Sequence, residues 1–261
     1  MSQAPAPVPA ATILMLRDGD RGLETFMVVR HRQIDFASGA LVFPGGRIDA
    51  QDGEVRDCCQ GVDEADDTTL AFRVGAIREA FEESGILLAR PAGQSELIAG
   101  QRLAQLDKYR DPLNKGELGL RQFLENEQLI LACDLLQHFA HWITPEMMPK
   151  RFDTHFYLAA APLDHLAVHD GHESVDSVWI SPPEALDGAQ SGKYTIIFPT
   201  RLNVELLGQS KSVSEALQMA QDRTAVTVMP SVEKRDDGVY LCIPADAGYS
   251  LAEEKMDGRL G

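Results

Sequence analysis

The densest chemistry in the chain lies in Arg78-Glu79-Ala80-Phe81-Glu82-Glu83-Ser84-Gly85-Ile86. On a helix, Glu79, Glu82 and Glu83 fall at i, i+3 and i+4, which places three carboxylates on one face. Such neighbours repel one another unless a cation gathers them. An all-oxygen donor set of this kind suits Mg²⁺ or Mn²⁺. Arg78 stands four residues before Glu82 and is placed to orient a carboxylate. Ala76, Ile77, Ala80, Phe81 and Ile86 can pack the same helix against a sheet. A solvated acidic face is the competing reading, and for three Glu alone it is the commoner one.

The elements that must hold this helix are legible in outline. Residues 12–16 and 25–31 are β-type runs joined by a polar turn, as in a hairpin. A third apolar run, 40–43, stops at Pro44-Gly45-Gly46, a turn that needs unusual backbone angles. Residues 49–67 are acidic and read as an exposed loop. Helical spacing follows over 68–88, with Asp67 or Thr68 able to cap its start and Gly85 able to end it. Further helices are predicted at 97–106, 118–139, 199–207 and 213–221, and a short one opens at Ser181-Pro182-Pro183-Glu184. Strands are predicted at 152–160, 175–180, 225–229 and 239–243. This mixture lacks a regular βαβ rhythm and predicts an α+β fold, helices around a mixed sheet.

The nine-residue segment resembles the second half of the Nudix box, Arg-Glu-U-x-Glu-Glu-x-Gly-U, with U aliphatic and Ala80 a small first U. In the first half, Gly46 is followed six positions later by Asp52, where the family has Glu. Residues 53–77 then separate Asp52 from Arg78, a spacing longer than the family's. Closure entropy grows slowly with loop length, so such an insertion is tolerable. Phe43-Pro44-Gly45-Gly46-Arg47-Ile48-Asp49-Ala50-Gln51-Asp52, with Arg30, Arg32 and Gly39 before it, looks like the signature of Nudix enzymes that hydrolyse coenzyme A, where Asp52 is an expected variant. The blocks Arg151–Tyr157 and Phe198–Asn203 resemble the peroxisomal coenzyme A diphosphatase branch.

The resemblance implies a Nudix α/β/α sandwich with extra helices. Residues 1–10 would be a disordered tail, and 11–261 one domain with an inserted acidic loop, 53–77. It implies Glu82 and Glu83 as principal metal ligands, Glu79 as ligand or base, the Gly46 carbonyl as a further oxygen, and Arg78 as partner of the carboxylates. Glu173, six residues before Trp179, stands where many Nudix proteins bring an acid to the metals; a solvated loop Glu is the alternative, and Glu146 the next candidate. Coenzyme A or acyl-coenzyme A is the implied substrate, with Arg30, Arg32 and Arg151 as candidate partners of its 3′-phosphate. ADP-ribose or another nucleoside diphosphate derivative is the alternative substrate class. A non-catalytic binding module and an isomerase on the same fold are the other readings. Trp142-Ile143-Thr144-Pro145 reads equally as a substrate-facing loop and as plain packing.

Composition bounds the partners. Lys and Arg number 24 against 40 Asp and Glu, a formal charge of −16. That field disfavours nucleic acid and anionic membranes, but a divalent cation can still bridge the chain to a small phosphorylated molecule. No apolar run reaches the length of a membrane span. Cys58, Cys59, Cys133 and Cys242 are not spaced as a zinc site and read as reduced thiols. The seven His show no paired spacing for zinc either. The start lacks a secretory pattern, and Gly-Arg-Leu-Gly at the end is not an S-K-L-type peroxisomal address. The expected compartment is the cytoplasm, and a homodimer is compatible with the reading.

Overall fold

The computed structural model describes residues 4–30, 39–162 and 174–256. Its first half runs β1 (Val8–Gly19), β2 (Gly22–Arg30), β3 (Leu41–Val42), β4 (Gly45–Arg47), α1 (Asp67–Ser84), β5 (Ala89–Pro91), α2 (Gly100–Leu106), α3 (Arg110–Asn114), α4 (Leu120–Glu127), β6 (Leu129–Leu131) and β7 (Gln137–Ile143). The second half runs β8 (Phe152–Ala160), β9 (Ser174–Ile180), α5 (Pro182–Gln190), α6 (Phe198–Leu207), α7 (Val213–Gln221), β10 (Thr227–Val228), β11 (Ser231–Arg235), β12 (Gly238–Cys242) and β13 (Glu253–Lys255).

One mixed sheet organises the described residues, in the order β10-β7-β8-β1-β2-β3, with β4 beside β1 and β9 beside β2. The central pair β1–β8 is parallel, in register from Val8↔Phe152 to Leu16↔Ala160. Such a pair is covered on both faces, which explains its near-continuous apolar runs. Alternation sorts the side chains. Ala11, Ile13 and Met15 join the core beneath α1 and α4, whereas Leu14 and Leu16 join the core beneath α5, α6 and α7. The sandwich expected from the sequence is therefore present, with helices on both faces of a mixed sheet. β11, β12 and β13 form a small separate sheet near the C-terminus.

Four expectations need correction. First, residues 1–10 are not all a tail: β1 begins at Val8, the Val8 amide donates to the Arg151 carbonyl at 2.9 Å, and the Ile48 amide donates to that of Pro9 at 3.0 Å. Second, the segment read as an exposed acidic loop is folded inward. Its short 3₁₀ turns bury Asp52, Val55 and Cys58, Val62 follows them into the core, and from Asp67 onward it is already α1. Third, the helix expected over 118–139 ends at Glu127. Gln128 adopts a left-handed conformation (φ 52°), and Leu129–Leu131 then pairs with β5. A short apolar run fits either period, and here the available strand edge decides.

The fourth correction concerns histidines. His141 of β7 lies directly opposite His155 of β8, and a bulge between His138 and Ala140 brings His138 alongside. Burial, with the neighbouring His141 next, pushes both His138 and His155 down to about 4. Spacing along the chain could not reveal this group, because pairing between strands creates it.

Arg151 is structural rather than substrate-facing. It is 7% exposed, with Nε donating to the Thr144 carbonyl at 3.0 Å and Nη1 to the Pro5 carbonyl at 2.9 Å. It thus ties the start of the chain to the β7–β8 turn. Replacing it removes both charge-assisted hydrogen bonds, so Arg151→Met should cost about 1–3 kcal/mol of stability in urea unfolding and leave KM of the folded enzyme unchanged. A raised KM at unchanged stability would return Arg151 to the substrate.

Candidate active site

Helix α1 starts on a side-chain cap, Asp66 accepting from the Thr69 amide at 2.7 Å, and stops at Gly85 in the left-handed region (φ 73°). Its apolar residues Leu70, Phe72, Ile77 and Phe81 are buried beneath the sheet, and Phe81 stacks on Phe123 of α4 at 5.5 Å. Glu82 and Glu83 therefore project from the last turn, at the negative end of the helix dipole, in a turn without a basic residue. Arg110 of α3 relieves part of this by donating Nε to the Glu82 carbonyl at 3.1 Å.

Arg78 collects the acids. Its Nε and Nη2 hold the Asp52 carboxylate at 2.8 and 3.0 Å, Nη1 reaches Glu79 at 3.0 Å and Glu82 at 3.1 Å, and Nη2 also donates to the Arg47 carbonyl at 2.8 Å. Burial alone would lower the Arg78 guanidinium, but Asp52, Glu79 and Glu82 together raise it above its ordinary value. Asp52 is fully buried, so the fork and the carboxylate form a desolvated bidentate pair. Gly75 makes room for that pair: a Cβ there would lie 2.6 Å from Ile48 Cδ1 and 3.0 Å from Asp52 Oδ2. Burial pushes the Glu82 carboxyl up to about 7, opposed by Arg78 and assisted by Glu79 and Asp52. A carboxyl so placed favours a further positive charge beside it.

The Pro44-Gly45-Gly46 turn closes over the same helix end. The Gly45 amide donates to Glu83 Oε2 at 3.0 Å. A Cβ on Gly46 would sit 2.5 Å from Glu79 Oε2, so a side chain there would push that carboxylate out of its present place. Gly46, Glu79, Glu82 and Glu83 are thereby brought together, as the sequence suggested. Their oxygen donors fit a hard divalent cation.

These residues line one wall of a cavity of about 1010 Å³. Another wall is apolar, with Trp142, Met148, Phe152, Phe156 and Phe198. Trp142 is both packed, at 4% exposure, and part of the cavity lining. Its Nε1 donates to the Tyr249 hydroxyl at 2.8 Å, and that hydroxyl donates to Asn203 Oδ1 at 2.7 Å. Arg47, Lys115 and Lys150 supply cations to the lining, and Arg151 is not part of it. The side chain of Arg30 and the whole of Arg32 and Glu173 lie outside the described residues. Glu146 is exposed and does not line the cavity.

Sequence reasoning missed the function of Asp52 as the anchor of Arg78, the Asn203–Tyr249–Trp142 chain, and Arg47 and Lys150. Lys150 and Asn203 stand beside or within blocks already singled out, so the signal was local. The Asn203 contact with Tyr249 is long-range. Removing Asp52 would strip the buried guanidinium of its principal partner. Asp52→Ala should therefore cost about 3–5 kcal/mol in equilibrium unfolding. A wild-type unfolding midpoint would show that Arg78 is held without it.

A family model, the NUDT19 Nudix domain, matches residues 56–206, more than half of the chain. The chain is 26% identical over 240 residues to a putative nudix hydrolase 7 of Caenorhabditis elegans, covering 92% of this chain and 74% of that one. It is 24% identical over 270 residues to the acyl-coenzyme A diphosphatase NUDT19 of Xenopus laevis, covering 87% and 71%. Among solved structures, a Nudix hydrolase from Alicyclobacillus acidocaldarius is similar with a TM-score of 0.67 and 28% identity, over 82% of this chain and 96% of that one. With the Arg78–Ile86 helix end folded against its glycine turn, the chain belongs to the Nudix hydrolases and is an enzyme of that class.

Proposed function

We propose that the chain is a metal-dependent diphosphatase acting on coenzyme A or its acyl thioesters. The observation that carries this reading is the sharing of one cavity by the Glu79–Glu82–Glu83 cluster and a broad apolar wall. A diphosphate with a long, weakly polar arm suits both walls; ADP-ribose offers the second only its adenine, which coenzyme A carries as well. Relatives named acyl-coenzyme A diphosphatase support the same reading.

Glu82 and Glu83, with Glu79 and the Gly46 carbonyl, would hold Mg²⁺ or Mn²⁺. When bound, the cation would neutralise the diphosphate and lower the pKa of attacking water. The chain's own groups do the rest. Arg78 fixes the carboxylates, the Gly45 amide orients Glu83, and the Trp142 wall excludes water from the arm. Lys150 and Arg47 replace Arg151 as candidate partners of the ribose 3′-phosphate, with Lys115, already paired to Asp111 at 2.9 Å, a third. Cleavage would release 3′,5′-ADP and 4′-phosphopantetheine or its acylated form. No helix among the described residues is long and apolar enough to cross a membrane. All four cysteines are free thiols.

Turnover should vanish in EDTA and return with Mg²⁺ or Mn²⁺. Glu82→Gln and Glu83→Gln should each lower kcat on the order of 100-fold with the fold retained. Chromatography of products from coenzyme A, 3′-dephospho-coenzyme A and ADP-ribose tests the substrate. Coenzyme A should lead in kcat/KM, and Lys150→Ala with Arg47→Ala should erase about 10-fold of its advantage over the dephosphorylated form, the value of one charge-assisted contact. If ADP-ribose leads, the coenzyme A reading fails and the family assignment stands.

A further inference from the structure

Strand β8 presents different chemistry on its two faces. Phe152, Thr154 and Phe156 line the cavity, whereas the alternate residues Asp153 and His155 belong to the opposite face. There they meet His141 of β7. His141 Nε2 lies 2.5 Å from Asp153 Oδ1, and the His141 and His155 rings stack with centroids 4.0 Å apart. One ligand atom from each of His141, Asp153 and His155 falls within 4.8 Å of the other two.

We propose that His141, Asp153 and His155 form a second metal site, for Zn²⁺ or a similar borderline transition ion, separate from the glutamate cluster. Two imidazoles and a carboxylate are a zinc donor set, and three protein ligands leave a fourth position for water. The glutamate cluster offers only oxygen and suits harder ions, so donor chemistry sorts the two metals between the two sites. The surroundings are those of a built site. His141 Nδ1 lies 2.8 Å from Thr227 Oγ1 of β10, which fixes the ring and leaves Nε2 for the ion. His155 Nδ1 lies 3.1 Å from His138 Nε2, and the Phe72 ring of α1 packs on His155 at 4.2 Å. All three donors are half-buried, so solvent can deliver an ion. The ion would bridge β7 to β8, the two strands that carry the 144–151 turn at the cavity rim. The proposal does not depend on the substrate assignment.

Titrating the metal-stripped chain with Zn²⁺ under excess Mg²⁺, followed by calorimetry, tests it. One equivalent should bind at micromolar affinity or tighter. His141→Asn and His155→Gln, which keep polar side chains of modest size, should abolish that event, and Thr227→Val should weaken it about 10-fold. Glu82→Gln should leave it intact. X-ray absorption of the Zn²⁺-loaded wild type adds a readout that needs no variant: two imidazoles in the first shell support the site. An all-oxygen shell, loss of binding in Glu82→Gln alone, or no binding under Mg²⁺ would each overturn it.

Discussion

The bidentate pair between Arg78 and Asp52 is the constraint on which the site depends. Its cost is high, because both charges are taken out of water. It persists because one guanidinium serves several acceptors: two carboxylates of its own helix, the Asp52 carboxylate and the Arg47 carbonyl. That arrangement couples α1 to the strand-turn unit carrying Gly45 and Gly46. Without it the Gly45–Glu83 contact and packing would have to hold the turn to the helix end. Gly75 shows how closely the coupling is built, since a helix-weakening residue stands where any side chain would clash with Ile48 and crowd Asp52.

Strand alternation then divides labour across the sheet. One face of β1 and β8 supplies the cavity floor with Ala10, Thr12, Thr154 and Phe156. The other supplies the core beneath α1 and, near the edge, the histidine group. Adjacent residues of β8 thus serve regions that do not touch, so a substitution at Thr154 and one at His155 should have unrelated consequences.

Much of this is legible in the sequence, but unevenly. The glutamate face of α1 was readable because helical periodicity and the site lie in one stretch. Strand 152–160 and helix 213–221 agree with the fold in type and in bounds. Residues 129–131 were not readable as a strand: their partner, β5, lies some forty positions upstream, and propensity says nothing about an edge that far away. Arg151 drew a substrate role from its neighbours, yet its burial follows from β1 arriving beside it. Asp52 could be seen as an acid in place of Glu, but its partner was not visible, because the intervening chain has to double back to bring it to Arg78.

That intervening chain is fastened along its length. Asp52 is gripped by Arg78, Gln60 exchanges backbone hydrogen bonds with Leu131 and Asp134, and Asp66 caps α1. Arg90 adds a clasp, holding Gln60 Oε1 at 2.9 Å and Asp134 Oδ1 at 2.7 Å. Between Gln60 and Asp66 the chain dips through the buried Val62, with Arg56 holding the Val62 and Ala65 carbonyls and Arg73 the Gly61 carbonyl, and leaves Asp63 and Glu64 exposed at its tip. Doubling a flexible arc adds only about 0.6 kcal/mol of closure entropy. The Asp63-Glu64 tip is therefore a natural splice point: a tag, a reporter or a foreign peptide inserted there would hang from fixed posts, leaving the glutamate cluster in place.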